Sequence, residues 1–300
     1  MTTTRALGNQ IWTDLNSPTK EEVDSLILSQ NINPIIVKDL LTPTPKQHIK
    51  EFNNVIYAVL HVPSFKHSSS ENLEQEIDFI ITESGLITAR YDSIDALHQF
   101  SKQMEVDEIL NRGDYSHLFF GVMKEVYEFL FNEINYMKDW MKEIEKNIFE
   151  GREKEMVLGI SVVSRNLLSF KRTIDPHQEV WINLQNIGKN IFGEKFEKES
   201  RALLEEWQRL TLEIKNVSDM LDELRETNNS MLSTKQNEVM KQLAVIGSVI
   251  LPLTIIGQLF GLSILSFPLK ENPYAFWIIL TLMIMVVLGS LAYVKLKKWM

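Results

Sequence analysis

The chain has 300 residues, no cysteine and a formal net charge of −9 at pH 7. Without cysteine it contains neither disulfides nor thiolate metal sites. Residues 241–300 carry five lysines and one acidic residue, which leaves 26 basic and 39 acidic residues, or a charge of −13, in residues 1–240. This acidic part argues against nucleic acid as a partner. It suits either a reservoir for cations or an ordinary solvated surface.

Residues 1–110 are predicted to form a mixed α/β domain. Val55–Val62, Ile77–Ile81 and Leu86–Ala89 are short runs rich in β-forming residues, and the tripeptide Glu83-Ser84-Gly85 marks a hairpin turn between the last two. The segment Thr19–Ser29 begins with a capping residue followed by acidic residues, which predicts a helix. We expect this domain to be cytosolic, because the N-terminus lacks the apolar core of a signal peptide.

The next segment, residues 111–197, is predicted to consist of peripheral helices. One helix ends near Gly151 and a second ends at about Ile174. The Asp175-Pro176 pair then starts a short third helix that ends at about Ile187.

Residues 198–240 are predicted to form a coiled-coil-like stalk helix that continues into the first apolar span. A 3.5-residue repeat runs there at spacings of four and three over four heptads. Its positions, apolar except for one asparagine, are Leu203, Trp207, Leu210, Ile214, Val217, Leu221, Leu224, Asn228 and Met231. A helix with this 3.5-residue repeat packs lengthwise against other helices. Two arrangements satisfy the repeat: an axis shared between subunits, or a helix bundle within one chain.

Two C-terminal stretches, residues 242–269 and 272–294, contain no Asp, Glu, Lys or Arg. A helix of about 20 apolar residues crosses the hydrocarbon core of a bilayer. We therefore predict a first transmembrane helix over residues 241–263, an external loop over residues 264–274, and a second transmembrane helix with a basic C-terminus over residues 275–300. Membrane lipid is the expected surrounding, and the alternative is a hydrophobic hairpin buried in a soluble core.

The first span carries polar and small residues on one stripe. Steps of three or four residues give Asn237, Met240, Ala244, Gly247, Leu251, Thr254, Gln258 and Gly261. Amide and hydroxyl groups offer oxygen atoms without a permanent charge, and a ring of identical subunits can hold a hydrated cation with them. Leu251 and Met240 are candidates for hydrophobic constrictions. The alternative is that Thr254 and Gln258 only form hydrogen bonds between helices.

The sequence contains no nucleotide-binding, metalloprotease or hydrolase motif, and its six histidines show no metal-ligand spacing. An enzyme is therefore the least expected class, and no covalently bound cofactor is predicted. Two spans are too few for an inverted-repeat transporter within one chain. An ion pathway consequently requires several copies of the chain.

Several short motifs occur in the order known from one transporter family. They are Ile11-Trp12-Thr13-Asp14-Leu15, Phe149-Glu150-Gly151, Lys171-Arg172 with Pro176, Asn237-Glu238-Val239-Met240-Lys241, Pro252-Leu253-Thr254 and Lys297-Lys298-Trp299. Together they resemble the CorA family of divalent-cation (magnesium/cobalt) channels, and the resemblance covers most of the chain.

The resemblance implies a CorA-like funnel, a homopentamer in a bacterial-type inner (plasma) membrane. Family members move Mg²⁺, Co²⁺, Ni²⁺ or Zn²⁺ without ATP hydrolysis, and Mg²⁺ is the ion most expected here. By position the resemblance assigns five residues to the pore: Asn237, Met240, Leu243, Leu251 and Thr254. Three lysines after the second span, at 295, 297 and 298, favour a cytosolic C-terminus by the positive-inside rule. Two spans then place both termini in the cytosol.

The chain departs from the family at the outer end of the first span. The Gly-Met-Asn signature is replaced by Gly261-Leu262-Ser263, and Lys270 follows in place of a neutral residue. Gln258 stands where a small residue is usual, and our hypothesis is that its amide replaces the missing asparagine ring. These departures leave two alternatives open. The chain has altered selectivity, for a monovalent ion or an anion, or it is a non-conducting membrane scaffold or sensor.

The resemblance also implies a regulatory metal site, because family members close when Mg²⁺ binds carboxylates between neighbouring cytosolic domains. Asp78, Glu223 and Glu226 are the candidate ligands in this chain. The alternative for each is a solvated face of a strand or helix.

Overall fold

The computed structural model describes residues 2–30, 32–63, 74–92, 94–110, 117–261 and 273–297. The strands in these residues are β1 (Thr2–Leu7), β2 (Gln10–Asn16), β3 (His48–Phe52), β4 (Val55–Pro63), β5 (Glu74–Thr82) and β6 (Gly85–Arg90). The helices are α1 (Lys20–Gln30), α2 (Ile36–Leu41), α3 (Asp95–Leu110), α4 (Leu118–Phe149), α5 (Glu153–Ile174), α6 (His177–Phe192), α7 (Glu194–Gly261) and α8 (Ala275–Leu296). The chain divides into two compact units, Met1–Arg225 and Glu226–Met300, and the division falls within α7.

The strands of the first unit form one mixed sheet in the order β1-β2-β6-β5-β4-β3. β2 and β6 are parallel, and the other neighbouring strands are antiparallel. The predicted hairpin is confirmed, because β5 and β6 pair with Thr82 opposite Gly85. The parallel pairing of β2 with β6 also requires glycine at this position. A Cβ atom at Gly85 would lie 2.0 Å from the carbonyl oxygen of Ile11 on β2.

Helices cover both faces of the sheet. On one face α1 and α2 bury apolar side chains such as Val23 and Ile36 against the strands. On the other face Phe119 of α4 meets Phe79 edge to face, with ring centroids 5.2 Å apart. Both faces of the central strands are therefore apolar, which is why these strands read as continuous apolar runs.

The predicted start of α1 is confirmed by its capping geometry. The Glu22 N–H donates to Thr19 Oγ1 at 3.3 Å, and the Thr19 N–H donates to the Glu22 carboxylate at 3.0 Å. This reciprocal pair is a capping box, which satisfies two backbone donors at the helix start.

The long helices are confirmed, and the chain itself buries most of the heptad positions of α7. Trp207 donates its Nε1 proton to the Ile174 carbonyl at the end of α5, at 2.9 Å. Lys138 of α4 forms an ion pair with Glu213 of α7. The buried heptad residues of the first unit are Leu203, Trp207, Leu210, Ile214, Val217, Leu221 and Leu224. Over these residues the repeat therefore serves a bundle within one chain, rather than an axis shared between subunits.

Two helix boundaries differ from the prediction. α6 continues to Phe192 rather than ending at Ile187, and α7 begins at Glu194 rather than Lys198. Gly193 separates the two helices with a φ of 86°, in the left-handed region that favours glycine. The elements β1, β3, α2 and α3 were not predicted.

Candidate ion pathway

Among the described residues, two helices are long and apolar enough to cross a membrane, namely α7 and α8. The rest of the chain does not cover their apolar segments. The predicted pair of apolar C-terminal helices is thus confirmed. The alternative of a hairpin buried in a soluble core is wrong, because such helices would be covered.

Within the second unit, α7 and α8 run antiparallel and pack through small residues. Ser290 lies beside Ser248, and a Cβ atom on Gly257 would lie 3.9 Å from Met283 Cε. Positions later in α7 therefore meet earlier positions in α8. Small side chains allow this close approach of two helices.

Pro252 interrupts the hydrogen bonding of α7, and α8 compensates for the interruption. Proline has no N–H, so the carbonyl four residues earlier, that of Ser248, loses its helical donor. Ser290 Oγ donates to this carbonyl at 3.3 Å and to the Val286 carbonyl of its own helix at 2.9 Å. In hydrocarbon no water would satisfy the freed carbonyl. Sequence reasoning missed Ser290, although a serine within an apolar span is a signal of such a contact.

The residues predicted to line a pore lie on the opposite side of α7 from α8. The partly covered side chains are Val245, Val249, Pro252, Leu253 and Ile256. The predicted pore residues are all exposed in the single chain, namely Asn237, Met240, Leu243, Gly247, Leu251, Thr254 and Gln258. At about 100° per residue, the mean directions of the two sets differ by roughly 170°. One chain therefore leaves the whole predicted stripe without a partner helix.

Thr254 shows how a hydroxyl on this stripe is held. Its Oγ1 donates to the Ile250 carbonyl at 2.7 Å and lies 3.0 Å from the Leu251 carbonyl. The hydroxyl proton is thus directed back to the helix, and the oxygen lone pairs remain available as acceptors.

The positions that replace the family signature are only partly described. Gly261 is the last residue of α7. Leu262 and Ser263 lie outside the described residues, as does most of the predicted external loop.

Asp78, one candidate ligand for a regulatory metal, lies in the interior of the sheet. It is 0% exposed in β5 and accepts hydrogen bonds from the Tyr57 hydroxyl at 3.3 Å and the Tyr91 hydroxyl at 3.5 Å. Burial, with the negative charge of Glu76 nearby, raises the pKa of this carboxyl well above its ordinary value. A buried carboxyl that favours the neutral form is poorly suited to bind a metal from solvent. The role of Asp78 as a regulatory metal ligand stays a prediction, and its buried position in the sheet argues against that role.

The other two candidates, Glu223 and Glu226, are exposed side chains of α7. No group of three His, Cys, Asp or Glu residues with a metal-binding arrangement occurs in the described part of the chain. The structure therefore does not bring the three candidates together as one metal centre. Exposed carboxylates remain available to a second copy of the chain.

The fold defines a class: an α/β unit followed by long helices, the last two of which carry apolar segments that the rest of the chain does not cover. Comparison with known proteins identifies the family within this class. The family model described as "CorA-like Mg2+ transporter protein" matches residues 8–297. The chain therefore belongs to the CorA-like Mg²⁺ transporter family, and the resemblance found in the sequence is confirmed.

Individual relatives have low sequence identity to this chain, but they match over almost its full length. The cobalt/magnesium transport protein CorA of Thermotoga maritima is 21% identical over 270 residues, which are 90% of this chain and 77% of that protein. The protein of the same description from Methanocaldococcus jannaschii is 23% identical over 300 residues, 96% of this chain and 91% of that protein. The complete structure of the CorA magnesium transporter from Methanocaldococcus jannaschii matches with a TM-score of 0.83 at 18% identity, covering 97% of this chain and 92% of that chain. At this identity the structural match confirms the predicted fold class.

Proposed function

We propose that this chain is the subunit of a homo-oligomeric channel, a pentamer, that passes divalent metal cations across the inner membrane without ATP hydrolysis. The observation that carries the proposal is the exposed stripe on α7, opposite the side that packs towards α8. Amide and hydroxyl groups on a lipid-facing surface are costly. Placing the stripes of several copies around one axis removes these groups from lipid and lines a polar path.

Mg²⁺ is the ion proposed first, with Co²⁺, Ni²⁺ and Zn²⁺ as further substrates. Mg²⁺ gives up its water shell reluctantly. Uncharged oxygen atoms, such as those of Asn237 and Thr254, can hold a hydrated ion by accepting hydrogen bonds from its water molecules. Along the stripe, both Met240 and Leu251 lie between Asn237 and Thr254. Rings of these apolar side chains would close the pore by excluding water.

The orientation proposed for the channel has both termini in the cytosol. Lys295 and Lys297 follow the apolar part of α8 at its C-terminal end, and cytoplasmic ends of spans carry an excess of lysine and arginine. The acidic first unit then faces the cytosol, where Mg²⁺ also acts as gating ligand. Glu223 and Glu226 are the proposed contributors to that regulatory binding, supplied to a neighbouring copy from the exposed surface of α7.

Gln258 is proposed to set the ion preference in place of the missing asparagine ring. It lies on the same stripe as Thr254, about one turn nearer the end of α7. Gln258→Ala is expected to lower divalent flux and to weaken discrimination among ions, while Gln258→Asn keeps an amide and retains more of both. Gln242→Ala is the matched control, because it makes the same change off the stripe. Unchanged flux and preference in Gln258→Ala would refute the role.

The test of the overall function is ion flux into proteoliposomes that contain the purified full-length protein. Uptake of Mg²⁺, Co²⁺, Ni²⁺ and Zn²⁺, blocked by an inert hexammine-cobalt complex that mimics hydrated Mg²⁺, supports the proposal. Flux of K⁺ or Cl⁻ alone would replace it by a channel of altered selectivity, the alternative that the Gly261-Leu262-Ser263 sequence favours. No flux from intact, oligomeric protein would replace it by a membrane scaffold or sensor.

A further inference from the structure

A small pocket in the first unit combines several charged side chains that the ion pathway does not use. It lies between α3 and the strands β1, β2 and β6, and its volume is about 290 Å³. We call it the basic pocket, because its ionisable lining consists of three permanent cations, one histidine and two carboxylates: Arg5, Arg90, Lys102, His98, Asp14 and Glu105. This lining has more positive than negative charge, although residues 1–240 as a whole carry −13.

The two carboxylates of the basic pocket already have partners. Asp14 accepts a hydrogen bond from Thr88 Oγ1 at 2.7 Å, and it accepts two from Arg90, from Nε at 3.2 Å and Nη2 at 3.0 Å. Glu105 accepts from Arg5 Nη1. Both carboxylates are thus neutralised by arginines that are themselves part of the lining.

Two cations of the basic pocket, Arg5 and Lys102, are not fully paired. Arg5 Nε is buried and has no hydrogen-bond partner. Within the described residues, no carboxylate lies within ion-pair distance of Lys102. A buried N–H group without an acceptor is costly and calls for an explanation. An anionic ligand in the basic pocket would bring oxygen acceptors to the guanidinium of Arg5 and place its charge beside Lys102.

We propose that the basic pocket binds a small anion that presents phosphate or carboxylate oxygens. The volume equals that of about ten water molecules at roughly 30 Å³ each, which is enough room for a small ion. A charge-assisted bond from an arginine to such oxygens is among the stronger hydrogen bonds in proteins. The bound anion would join α3 to the edge of the sheet formed by β1 and β2. The proposal does not depend on ion conduction.

Isothermal titration calorimetry of the full-length protein in detergent tests the proposal, with inorganic phosphate, pyrophosphate and citrate as probes. Titrations are made at constant ionic strength with chloride and without added divalent metal, because pyrophosphate and citrate bind such metals. We expect saturable binding of at least one probe, at one site per chain. Preference for phosphate or pyrophosphate over citrate would identify a phosphoryl ligand, and the reverse a carboxylate ligand.

Variants locate the binding. Arg5→Gln is expected to weaken it on the order of tenfold, as for loss of one charge-assisted hydrogen bond. Lys102→Gln, which breaks no ion pair among the described residues, is expected to weaken it by roughly two- to fivefold, as for one exposed charge pair. Lys215→Gln on the exposed surface of α7 makes the same charge change elsewhere and should leave affinity unchanged. Absence of saturable heat with all three probes, or equal weakening by Lys102→Gln and Lys215→Gln, would overturn the proposal.

Discussion

Replacing Ser290 by alanine is expected to weaken the packing of α8 on α7, because it removes the donor that compensates for Pro252. The bond from Ser290 Oγ to the Ser248 carbonyl is 3.3 Å long, and its proton is shared with the Val286 carbonyl. Hydrogen bonds between membrane helices contribute about 0.6 kcal/mol on average. Leaving a carbonyl unpaired in hydrocarbon adds to the loss, so we expect a total of roughly 1 kcal/mol.

A double-mutant cycle separates this role from a general effect of the substitution. In a Pro252→Ala background, residue 252 has an N–H that can donate to the Ser248 carbonyl, so Ser290→Ala is then expected to be nearly neutral. The coupling free energy should equal the roughly 1 kcal/mol lost in the parent chain. The measurement is unfolding of the full-length protein in mixed micelles by increasing dodecyl sulfate, followed by circular dichroism.

Ser248→Ala provides the matched control, since the Ser248 hydroxyl donates within its own helix, to the Val245 carbonyl at 2.8 Å. This variant should change stability much less than Ser290→Ala. If Ser290→Ala costs the same with and without Pro252, the hydroxyl does not compensate for the proline and the reasoning is refuted.

Thr254→Val is expected to lower divalent flux in proteoliposomes on the order of tenfold, since each subunit loses one acceptor, while Thr254→Ser retains most of it; equal losses would exclude the acceptor role. His177 is buried, and burial lowers its pKa to about 4 from an ordinary 6.5. The neutral folded form gains a proton on unfolding, so urea unfolding should show stability falling by up to roughly 3 kcal/mol as the pH drops from 6.5 to 4; a His177→Gln variant with the same slope would refute this. Gly85→Ala should cost roughly 3 kcal/mol through its clash with Ile11 and lower the melting temperature, whereas Gly159→Ala, which meets only the Ile144 side chain at 3.3 Å, should be mild.

The tautomer of His177 explains why protonation opposes folding. Its Nε2 donates to the His61 carbonyl at 2.8 Å, because a carbonyl can only accept. Nδ1 lies 3.5 Å from the Tyr127 hydroxyl, which itself accepts from Trp181 Nε1 at 2.7 Å. A second proton on the ring would face this hydroxyl within an apolar core, where a charge is strongly disfavoured.

Features set by local spacing were predictable from the sequence. The hairpin at Gly85 and the cap at Thr19 each depend on a few neighbouring residues, and the long helices follow from uninterrupted apolar periodicity. The heptad repeat of α7 was equally clear, but a repeat specifies that a helix face is buried and not which helix buries it. Here α5 reaches that face, as the Trp207 bond to Ile174 demonstrates.

The placement of Asp78 shows a different limit. The family resemblance made Asp78 a candidate metal ligand, yet Asp78 lies within the run Ile77–Ile81, which is apolar on both sides of the aspartate. Strands with apolar residues on both faces are covered on both faces, and Asp78 is therefore inside the sheet. Its two tyrosine partners, Tyr57 and Tyr91, come from other parts of the chain. No pattern local to Asp78 indicated them.

The chemistry of α7 near Pro252 bears on which ion the proposed pore favours. Pro252 lies on the side towards α8, so its freed carbonyl at Ser248 is satisfied by Ser290 and need not reach the pore. On the opposite side, the proton of Thr254 is directed to the Ile250 carbonyl. A ring of such hydroxyls presents oxygen lone pairs only. The water shell of a hydrated cation directs its hydrogens outward and can donate to that ring. An anion requires donors, which Thr254 does not offer, so a ring of Thr254 hydroxyls suits a cation rather than an anion.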